Sequence, residues 1–444
     1  MAQVWLKHGS SILSRGLSCF QPHSAMQKAM GDPAPLLQPQ GGEKWHGIEQ
    51  RLGTAGAIQT LVVSMLGTGI VAFPYGFALC GYIVGPLALV FMGYLAHLSY
   101  ISLVRCTAAT HSASYGGLLE EIPGAWKGYT DVALWLLLVL VLTAYVLIAG
   151  DIIRSVAGSM SADVQDLPML QNPVLFAIIL VTVFPLSLFK SLAGLSVIST
   201  YCSCAILVVV GLIVWEAYAA YVADPPSEEL AVTAGAKAGS VMLAVPIFAC
   251  AMFGHMNISQ VYAELKPELK ARAPFISAAA CLIVAALYLL IGAVGYAAFG
   301  RGAATDVVTQ IAARGGESGS VLAIQALLGS FIVLKMPLAV LPLRNLSLEL
   351  MMPGKDPASV SGCVNAGLTA TLLGAVYLAV MLIPDLGKVL ELLGAICVVP
   401  LTFVVPARLA WTLEVPRPTL RCVLLAGTGV VASVLSVAVV VSGA

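Results

Sequence analysis

Eleven apolar runs follow one another along the chain after residue 50, and each is long enough to cross a bilayer as a helix. A spanning helix needs roughly 20 mostly apolar residues. The runs lie near 54–79, 82–105, 130–154, 173–190, 192–217, 238–263, 273–300, 318–345, 360–383, 387–408 and 420–442. They lack strict alternation, which favours helices over a β-barrel. Because 59% of the 444 residues are hydrophobic and only 10% are charged, the sequence predicts an all-α integral membrane protein with 11 transmembrane helices.

Positive charges between the runs predict the orientation. Of the 22 Lys and Arg residues, 16 fall on the side of the N-terminus and five on the opposite side. Cytoplasmic loops carry the excess of Lys and Arg, so the N-terminus is predicted to be cytoplasmic, in a plasma membrane or a vacuolar or lysosomal membrane. The sequence predicts no cofactor, no metal, no nucleic-acid partner and no enzymatic activity. It leaves the oligomeric state open.

Residues 1–50 differ from the rest of the chain, because they contain no apolar run of spanning length. Two interpretations are open for this segment. The favoured one is a mostly disordered cytoplasmic tail. The other is an organelle transit peptide, since no acidic residue precedes Asp32.

The spacing of the runs indicates an internal repeat. Runs one to five match runs six to ten at offsets of about 184 to 195 residues, and an odd number of spans inverts the second copy in the membrane. The predicted division is a tail over 1–50, a first inverted repeat over 51–222, a second over 223–409, and an eleventh span with a short C-terminus over 410–444.

The first run of each half contains a possible helix break. Inverted-repeat carriers bind substrate near the bilayer midplane, where the first helix of each half is interrupted. Gly67-Thr68-Gly69 lies near the centre of run one, and Phe253-Gly254-His255 lies at the matching place in run six. Glycines permit unwinding, and free amides at a helix start bind carboxylates. The alternative is that these small residues only allow close helix packing.

Three ionisable residues lie inside or at the edge of the runs. Lys335 is near the middle of run eight, too far from either end to reach water by snorkelling alone. Charged groups at this depth are usually functional, so coupling to transport and structural pairing are the two interpretations. His255 is either a proton relay or a packing histidine. Glu391 either pairs with Lys388 or serves as a proton or cationic-substrate site.

Several short segments together carry a resemblance to a known family. They are Gly67-Thr68-Gly69-Ile70-Val71-Ala72-Phe73-Pro74-Tyr75, Gly150-Asp151, Phe184-Pro185-Leu186-Ser187-Leu188, Phe253-Gly254-His255, Val261-Tyr262-Ala263-Glu264-Leu265, Gly295-Tyr296, Phe299-Gly300, Pro342-Leu343-Arg344, Gly394-Ala395 and Pro406. In this order they resemble the amino acid/auxin permease family, which includes sodium-coupled neutral and vesicular amino acid transporters. The resemblance implies a leucine-transporter-like fold of ten core helices plus one, with helices 1 and 6 discontinuous.

The same resemblance implies secondary active transport of an amino acid by alternating access. It implies that amides of the first break bind the substrate carboxylate and that carbonyls of the second break bind its ammonium. Tyr145 could contact the substrate, and Phe248 or Phe253 could close the pocket. The expected substrate-binding residues are Leu66, Gly67, Thr68, Gly69, Tyr145, Phe248, Ala251, Met252, Phe253 and Gly254.

Two positions depart from the sodium-coupled members of the family. Those members carry an Asn four residues before the first Gly of the break and a Thr in span eight near the proline that is Pro337 here. This chain has Val63 at the first position and Lys335 or Val333 at the second. Valine offers no side-chain oxygen to Na⁺, and an ammonium repels it. Sodium coupling is therefore not expected.

We expect the Lys335 ammonium to occupy the vacant sodium site between spans one and eight. Transport would then be proton-coupled, with protons as a further partner, or independent of ions. Neutral amino acids are favoured as substrates. The alternatives are a sodium-coupled or cationic amino acid symporter, and an amino-acid-sensing receptor without turnover.

Overall fold

A computed structural model of the chain describes residues 50, 52–121, 125–160, 168–188, 196–227, 233, 238–315, 319–352, 360–413 and 419–442. This part of the protein is almost entirely helical, which confirms the all-α prediction. Apart from residue 50, the predicted N-terminal tail lies outside the described residues. The helices are α1 Thr54–Met65, α2 Phe73–Thr110, α3 Tyr115–Leu119, α4 Ala125–Met160, α5 Asn172–Leu186, α6 Ser196–Ala223, α7 Ala238–Ala251, α8 His255–Glu264, α9 Ala273–Phe299, α10 Val307–Gly315, α11 Gly319–Met351, α12 Gly362–Leu382, α13 Leu386–Thr412 and α14 Thr419–Ser442.

Nine helical segments of the described chain are long and apolar enough to cross a membrane, and α1 and α5 are shorter apolar helices. The predicted number of eleven spans is not confirmed. One reason is that the second half of run one and all of run two form a single helical stretch, α2. Within α2, Gly81 has φ 82° and ψ 169°. Glycine adopts this conformation readily, and it forms a kink between two helical parts of α2.

The first central break separates α1 from α2. Leu66 and Gly67 are extended, and a 3₁₀ turn over Thr68–Ala72 leads into α2. Gly67 has φ −135° and ψ −167°, a conformation open to any residue. The helix is therefore interrupted at Gly67 as predicted, although the backbone angles there do not themselves require a glycine. A Cβ at Gly67 would meet no atom within 4 Å, so the glycine leaves space beside the break.

The second central break separates α7 from α8. Helix α7 ends at Ala251, and α8 begins at His255 after a gap over 252–254. Both interruptions thus lie where the sequence predicted them, 187 residues apart from Gly67 to Gly254. On the side where α1 begins, the amide of Leu52 donates to the carbonyl of Glu264 at 2.9 Å. The amide of Lys266 donates to the carbonyl of Leu52 at 3.2 Å. Backbone hydrogen bonds therefore join the start of α1 to the end of α8.

The broken helices pack at the centre of the protein. Helix α2 packs on α7, α8 and α9, and α9 also packs on α1. The contact between α9 and α2 is close, since a Cβ added at Gly295 would lie 2.4 Å from Cγ of Pro74. Helices α11, α12 and α13 pack on α4. Two groups of helices, one around the breaks and one around α4 and α11, thus face each other.

Asp306 gives a first testable prediction. It lies outside the spans and caps α10, with its carboxylate accepting hydrogen bonds from the amides of Val308 and Thr309 at 2.9 and 3.3 Å. Burial, assisted by the charge of Asp151, raises the pKa of Asp306 from 3.8 to about 6, against the opposing effect of these hydrogen bonds. The folded protein then holds more protons than the unfolded chain in this window. We expect its melting temperature to fall as the pH rises from 3.8 to about 6.

The control for this prediction is Asp306→Asn, which keeps a side-chain oxygen as the cap but cannot titrate. Its melting temperature should lack the fall between these pH values. An identical pH profile for the wild-type and Asp306→Asn proteins, measured by the thermal unfolding of detergent-purified protein, would contradict the assignment.

Candidate functional site

A cavity of ≈ 540 Å³ lies between the two breaks. The first break contributes Gly67 and Gly69, and the second contributes Phe253. The opposite wall is formed by α4 and α11, which contribute Tyr145 and Lys335. The cavity thus combines backbone groups from both broken helices with side chains from the helices that face them.

The cavity opens on the side of the membrane where α1 begins. Its lining extends from the breaks to Ser114 and Gly116 in the connection between α2 and α4, and both of these residues are exposed. Asn257 of α8 and Asn345 of α11 line the same passage. A solute can therefore reach the breaks from this side.

Aromatic rings close the cavity on the opposite side. Phe73 stacks on Tyr288 with ring centroids 4.1 Å apart and lies 5.6 Å from the ring of Phe248. Phe77 meets Phe248 edge to face at 6.0 Å. All four rings are at most 1% exposed. Among the described residues, these rings therefore separate the cavity from the side opposite Ser114.

Lys335 is the only side chain with a formal charge among the described residues that line the cavity. Its Nζ lies 3.4 Å from the carbonyl oxygen of Leu66, at the end of α1, and 4.9 Å from the centre of the Phe331 ring. Within the described part of the chain, no carboxylate lies within ion-pair distance of Lys335. The ammonium thus faces a carbonyl and an aromatic ring, two groups that attract cations.

Glu391 lies in α13 outside the cavity lining and is 6% exposed. The hydroxyl of Tyr75, in the first turns of α2, donates to its carboxylate at 3.4 Å. The described residues include no ion pair between Glu391 and Lys388, so the sequence-based pairing is replaced by a contact with Tyr75. The Tyr75–Glu391 contact joins α2 to α13 next to the aromatic rings that close the cavity.

This contact gives a second prediction. Tyr75→Phe and Glu391→Ala each remove the same hydrogen bond, which is worth roughly 0.5–1.5 kcal/mol. We expect each variant to change the rate of substrate exchange, and the double variant to change it no further than the larger single effect. A double-mutant cycle on exchange rates in proteoliposomes measures this coupling. Additive effects of the two substitutions would show that the residues act separately.

His255 is fully buried at the start of α8 and does not line the cavity. Its ring stacks on Tyr100 with centroids 4.2 Å apart, and Phe253 lies on it at 5.6 Å. Neither ring nitrogen has a hydrogen-bond partner among the described residues. This environment is that of a packed aromatic ring, and a relay through His255 stays a prediction.

The structure brings only some of the predicted site residues to the cavity surface. Five of them line it, namely Gly67, Gly69, Tyr145, Phe253 and Lys335. Seven others lie in or near the breaks or the aromatic rings that close the cavity without lining it, namely Leu66, Phe248, Ala251, Met252, Gly254, His255 and Glu391. The side chain of Thr68 lies outside the described part of the structure.

The sequence analysis missed Tyr288, Ser64 and Asn257, which also line the cavity. Ser64 lies three residues before Gly67, and Asn257 lies three residues after Gly254. A search for polar residues one turn from each break could have found both. Tyr288 lies on α9, away from the broken helices in sequence. Its only signal in the sequence was its position 188 residues after Tyr100, which matches the spacing of the internal repeat.

Two interrupted helices around a cavity that opens to one side define a multi-pass membrane carrier. The family model described as "Transmembrane amino acid transporter protein" matches residues 51–442, and the chain belongs to this family. It is a transporter and not an enzyme. Membership confirms the family resemblance drawn from the motifs.

Named relatives agree with the family. "Amino acid transporter AVT6E" of Arabidopsis thaliana is 27% identical over 386 residues, which cover 81% of this chain and 76% of the relative. "Putative sodium-coupled neutral amino acid transporter 11" of Bos taurus is 25% identical over 354 residues, covering 79% and 74%. "Vacuolar amino acid transporter 5" of Schizosaccharomyces pombe is 24% identical over 371 residues, covering 81% and 84%.

Two solved structures share the fold. The crystal structure of MhsT in complex with L-phenylalanine is 13% identical, with a TM-score of 0.57 over 89% of this chain and 100% of that chain. The inward facing conformation of Mhp1 is 16% identical, with a TM-score of 0.52 over 92% and 93%. These likenesses confirm the leucine-transporter-like fold.

Proposed function

We propose that the protein is a secondary active transporter of neutral amino acids that works by alternating access, with the Lys335 ammonium in place of a driving Na⁺. The observation that carries the proposal is the cavity between the two breaks, in which the Nζ of Lys335 lies 3.4 Å from the carbonyl oxygen of Leu66. This carbonyl belongs to the end of a broken helix, where backbone oxygens have no helical partner. An ammonium at this place competes directly with any metal cation.

The chemistry of the cavity supports an amino acid with an uncharged side chain. Peptide groups at the start of a helix favour a carboxylate, and those at the end of a helix favour an ammonium. The two breaks supply one helix start and one helix end at the same cavity. Among the described residues that line it there is no carboxylate, so a cationic side chain would have no partner. We propose the amide of Gly69 for the substrate carboxylate, because the amide of Gly67 already donates to Tyr288. For the substrate ammonium we propose the carbonyl of Phe253, which lines the cavity.

Alternating access requires the four rings that close the cavity to separate and the passage at Ser114 to close. These rings are Phe73, Phe77, Phe248 and Tyr288. The rings of Phe73, Phe248 and Tyr288 belong to helices around the breaks. A movement of this group against α4 and α11 would separate the Tyr75–Glu391 contact and expose the cavity to the opposite side. The excess of positive charge supports a cytoplasmic N-terminus, so the open side in this structure would be cytoplasmic. The vacuolar amino acid transporter among the relatives supports a vacuolar location.

Uptake into proteoliposomes tests the proposal. Purified protein is reconstituted, and counterflow of a panel of radiolabelled neutral, cationic and anionic amino acids is measured with Na⁺ or K⁺ outside. We expect counterflow of neutral amino acids that is equal in the two salts. A stimulation by an imposed pH gradient would assign proton coupling, and its absence would assign ion-independent transport. Binding without counterflow would indicate a receptor, and a requirement for Na⁺ would contradict the role of Lys335.

A further inference from the structure

Tyr100 of α2 bridges the second break with its hydroxyl group. The hydroxyl donates to the carbonyl of Met252 at 2.9 Å and accepts from the amide of Gly254 at 2.8 Å. The hydroxyl therefore fixes the spacing between the carbonyl of Met252 and the amide of Gly254 across the break. Tyr100 is fully buried and does not line the cavity.

Tyr288 of α9 bridges the first break in the same way. Its hydroxyl donates to the carbonyl of Met65 at 3.2 Å and accepts from the amide of Gly67 at 3.5 Å. Unlike Tyr100, Tyr288 lines the cavity. The peptide groups that it holds are therefore within reach of a solute and of water from the open side.

The two bridges are related by the internal repeat. Met65 and Met252 are 187 residues apart, as are Gly67 and Gly254, while Tyr100 and Tyr288 are 188 residues apart. The tyrosine of the first half bridges the break of the second half, and the reverse holds for the other tyrosine. An inverted repeat with a pseudo-twofold axis produces this exchange.

Each tyrosine ring is held by an aromatic ring that begins the helix after the break. Tyr100 stacks on His255, the first residue of α8, at 4.2 Å and 16°. Tyr288 stacks on Phe73, the first residue of α2, at 4.1 Å and 22°. Stacking fixes the ring plane, so each hydroxyl is aimed at its gap.

A tyrosine hydroxyl suits this position because it both donates and accepts, and a phenylalanine does neither. Each break leaves several carbonyls and several amides without their helical partners, and the hydroxyl bonds one of each. Within a bilayer such groups need a partner from another part of the protein. One hydroxyl satisfies both and sets the spacing across the gap.

We propose that Tyr100 and Tyr288 are a symmetry-related pair of positioning residues that hold the two helix breaks in their binding-competent shape. Tyr100 keeps both of its hydrogen bonds throughout the transport cycle, because it is fully buried and does not line the cavity. Tyr288 holds the peptide groups of Met65 and Gly67 in place beside the cavity, so that the amide of Gly69 two residues later is positioned for the substrate carboxylate. This second role rests on the proposed function, since it assigns a carboxylate to that amide.

The test compares Tyr288→Phe with Tyr296→Phe in reconstituted protein. Tyr296 lies on the same helix, is 1% exposed, and its hydroxyl accepts from the amide of Thr233 at 2.9 Å, away from both breaks. KM and maximal rate of uptake are measured for a neutral amino acid, together with the melting temperature. The decarboxylated amine of that amino acid serves as a competitor that lacks the carboxylate.

We expect Tyr288→Phe to raise KM by about 10-fold, the effect of losing one or two hydrogen bonds. Its melting temperature should stay near that of Tyr296→Phe, because water in the cavity can replace the hydroxyl. The inhibition constant of the amine should not change, and Tyr296→Phe should keep the wild-type KM. Tyr100→Phe, at a break that water does not reach, should lower the melting temperature and the maximal rate.

Several results would overturn the proposal. They are an unchanged KM in Tyr288→Phe, an equal rise in KM in Tyr296→Phe, and an equal loss of affinity for the amine. A fall in KM would mean that the hydroxyl competes with substrate. A Tyr288→Phe protein that melts far below Tyr296→Phe would make the bond a stabilising contact only. If the wild-type protein shows no counterflow, the proposed function fails first, and a calorimetric Kd for the amino acid still tests the tyrosine pair.

Discussion

A Lys335→Met protein is expected to lose uptake by at least about 10-fold, since a hydrogen bond from a charged group is worth roughly 1.5–3 kcal/mol. The substitution keeps a long side chain but removes the ammonium that contacts the carbonyl of Leu66. The end of α1 then has one carbonyl without a partner beside the binding cavity. Initial uptake rates in proteoliposomes measure the effect. Lys388→Met, which removes an exposed charge on α13 outside the cavity lining, is the control and should leave uptake unchanged.

Lys335→Arg distinguishes proton-coupled transport from transport in which the ammonium only replaces a fixed cation. Arginine keeps the positive charge but does not lose its proton in a protein. If transport is coupled to protonation of Lys335, the arginine variant should lose the response to a pH gradient. If the ammonium only replaces a fixed cation, the arginine variant should keep part of its uptake at every pH.

Lys335→Thr supplies a hydroxyl oxygen where the sodium-coupled members of the family carry a threonine. We expect this variant to change its pH dependence or its response to Na⁺. Uptake by Lys335→Thr with wild-type pH dependence and wild-type ion requirements would refute the placement of the ammonium in a former sodium site.

Gly254→Ala is the second substitution with a large expected effect. A Cβ at Gly254 would lie 2.7 Å from Oγ of Ser64, 2.9 Å from the hydroxyl of Tyr100 and 3.0 Å from Cγ of Met65. Real Cβ atoms essentially never show contacts under 3.0 Å, so Ser64, Tyr100 or the second break itself must shift, and the hydrogen bonds of Tyr100 across that break are disturbed. We expect uptake to fall by at least about 10-fold and the melting temperature to fall as well, because overpacking costs typically 1–3 kcal/mol.

Two other glycines provide the controls. Gly367 lies in α12, and a Cβ there meets nothing within 4 Å. Gly367→Ala should leave both uptake and stability unchanged. Gly67→Ala also meets no atom, but its Cβ would enter the cavity region, so stability should be kept while KM rises. A Gly254→Ala protein with wild-type uptake would show that the breaks do not need their close contact.

The positions of the helix breaks were predictable from local sequence. In a bilayer every backbone polar group must be bonded within the protein, so an interruption in an apolar run stands out. Gly67 and Gly254 mark the two interruptions, and the repeat spacing relates them. The backbone angles of Gly67 are open to any residue, so the local signal came from the low helix propensity of glycine and not from a special conformation.

The contacts of the charged groups were less predictable. The sequence analysis placed the Lys335 ammonium between spans one and eight, and the structure identifies the carbonyl of Leu66 as the group that it contacts. Glu391 seemed to have a partner three residues away in Lys388, but the carboxylate is bonded by Tyr75 of α2. Spacing along one helix indicates which residues share a face, and it says nothing about the helix that packs against that face.

The amino-acid sequence by itself determined that this chain crosses a membrane many times, that two of its helices break near the centre, and that its motifs belong to an amino acid transporter family. These features are local, because hydrophobic length and helix-breaking residues act within about 20 neighbouring positions. Only the tertiary structure decided that Tyr288 and Tyr100 bridge the breaks of the opposite halves and that the cavity opens to one side. Those contacts join residues more than 150 positions apart, and the packing of whole helices decides which of them meet.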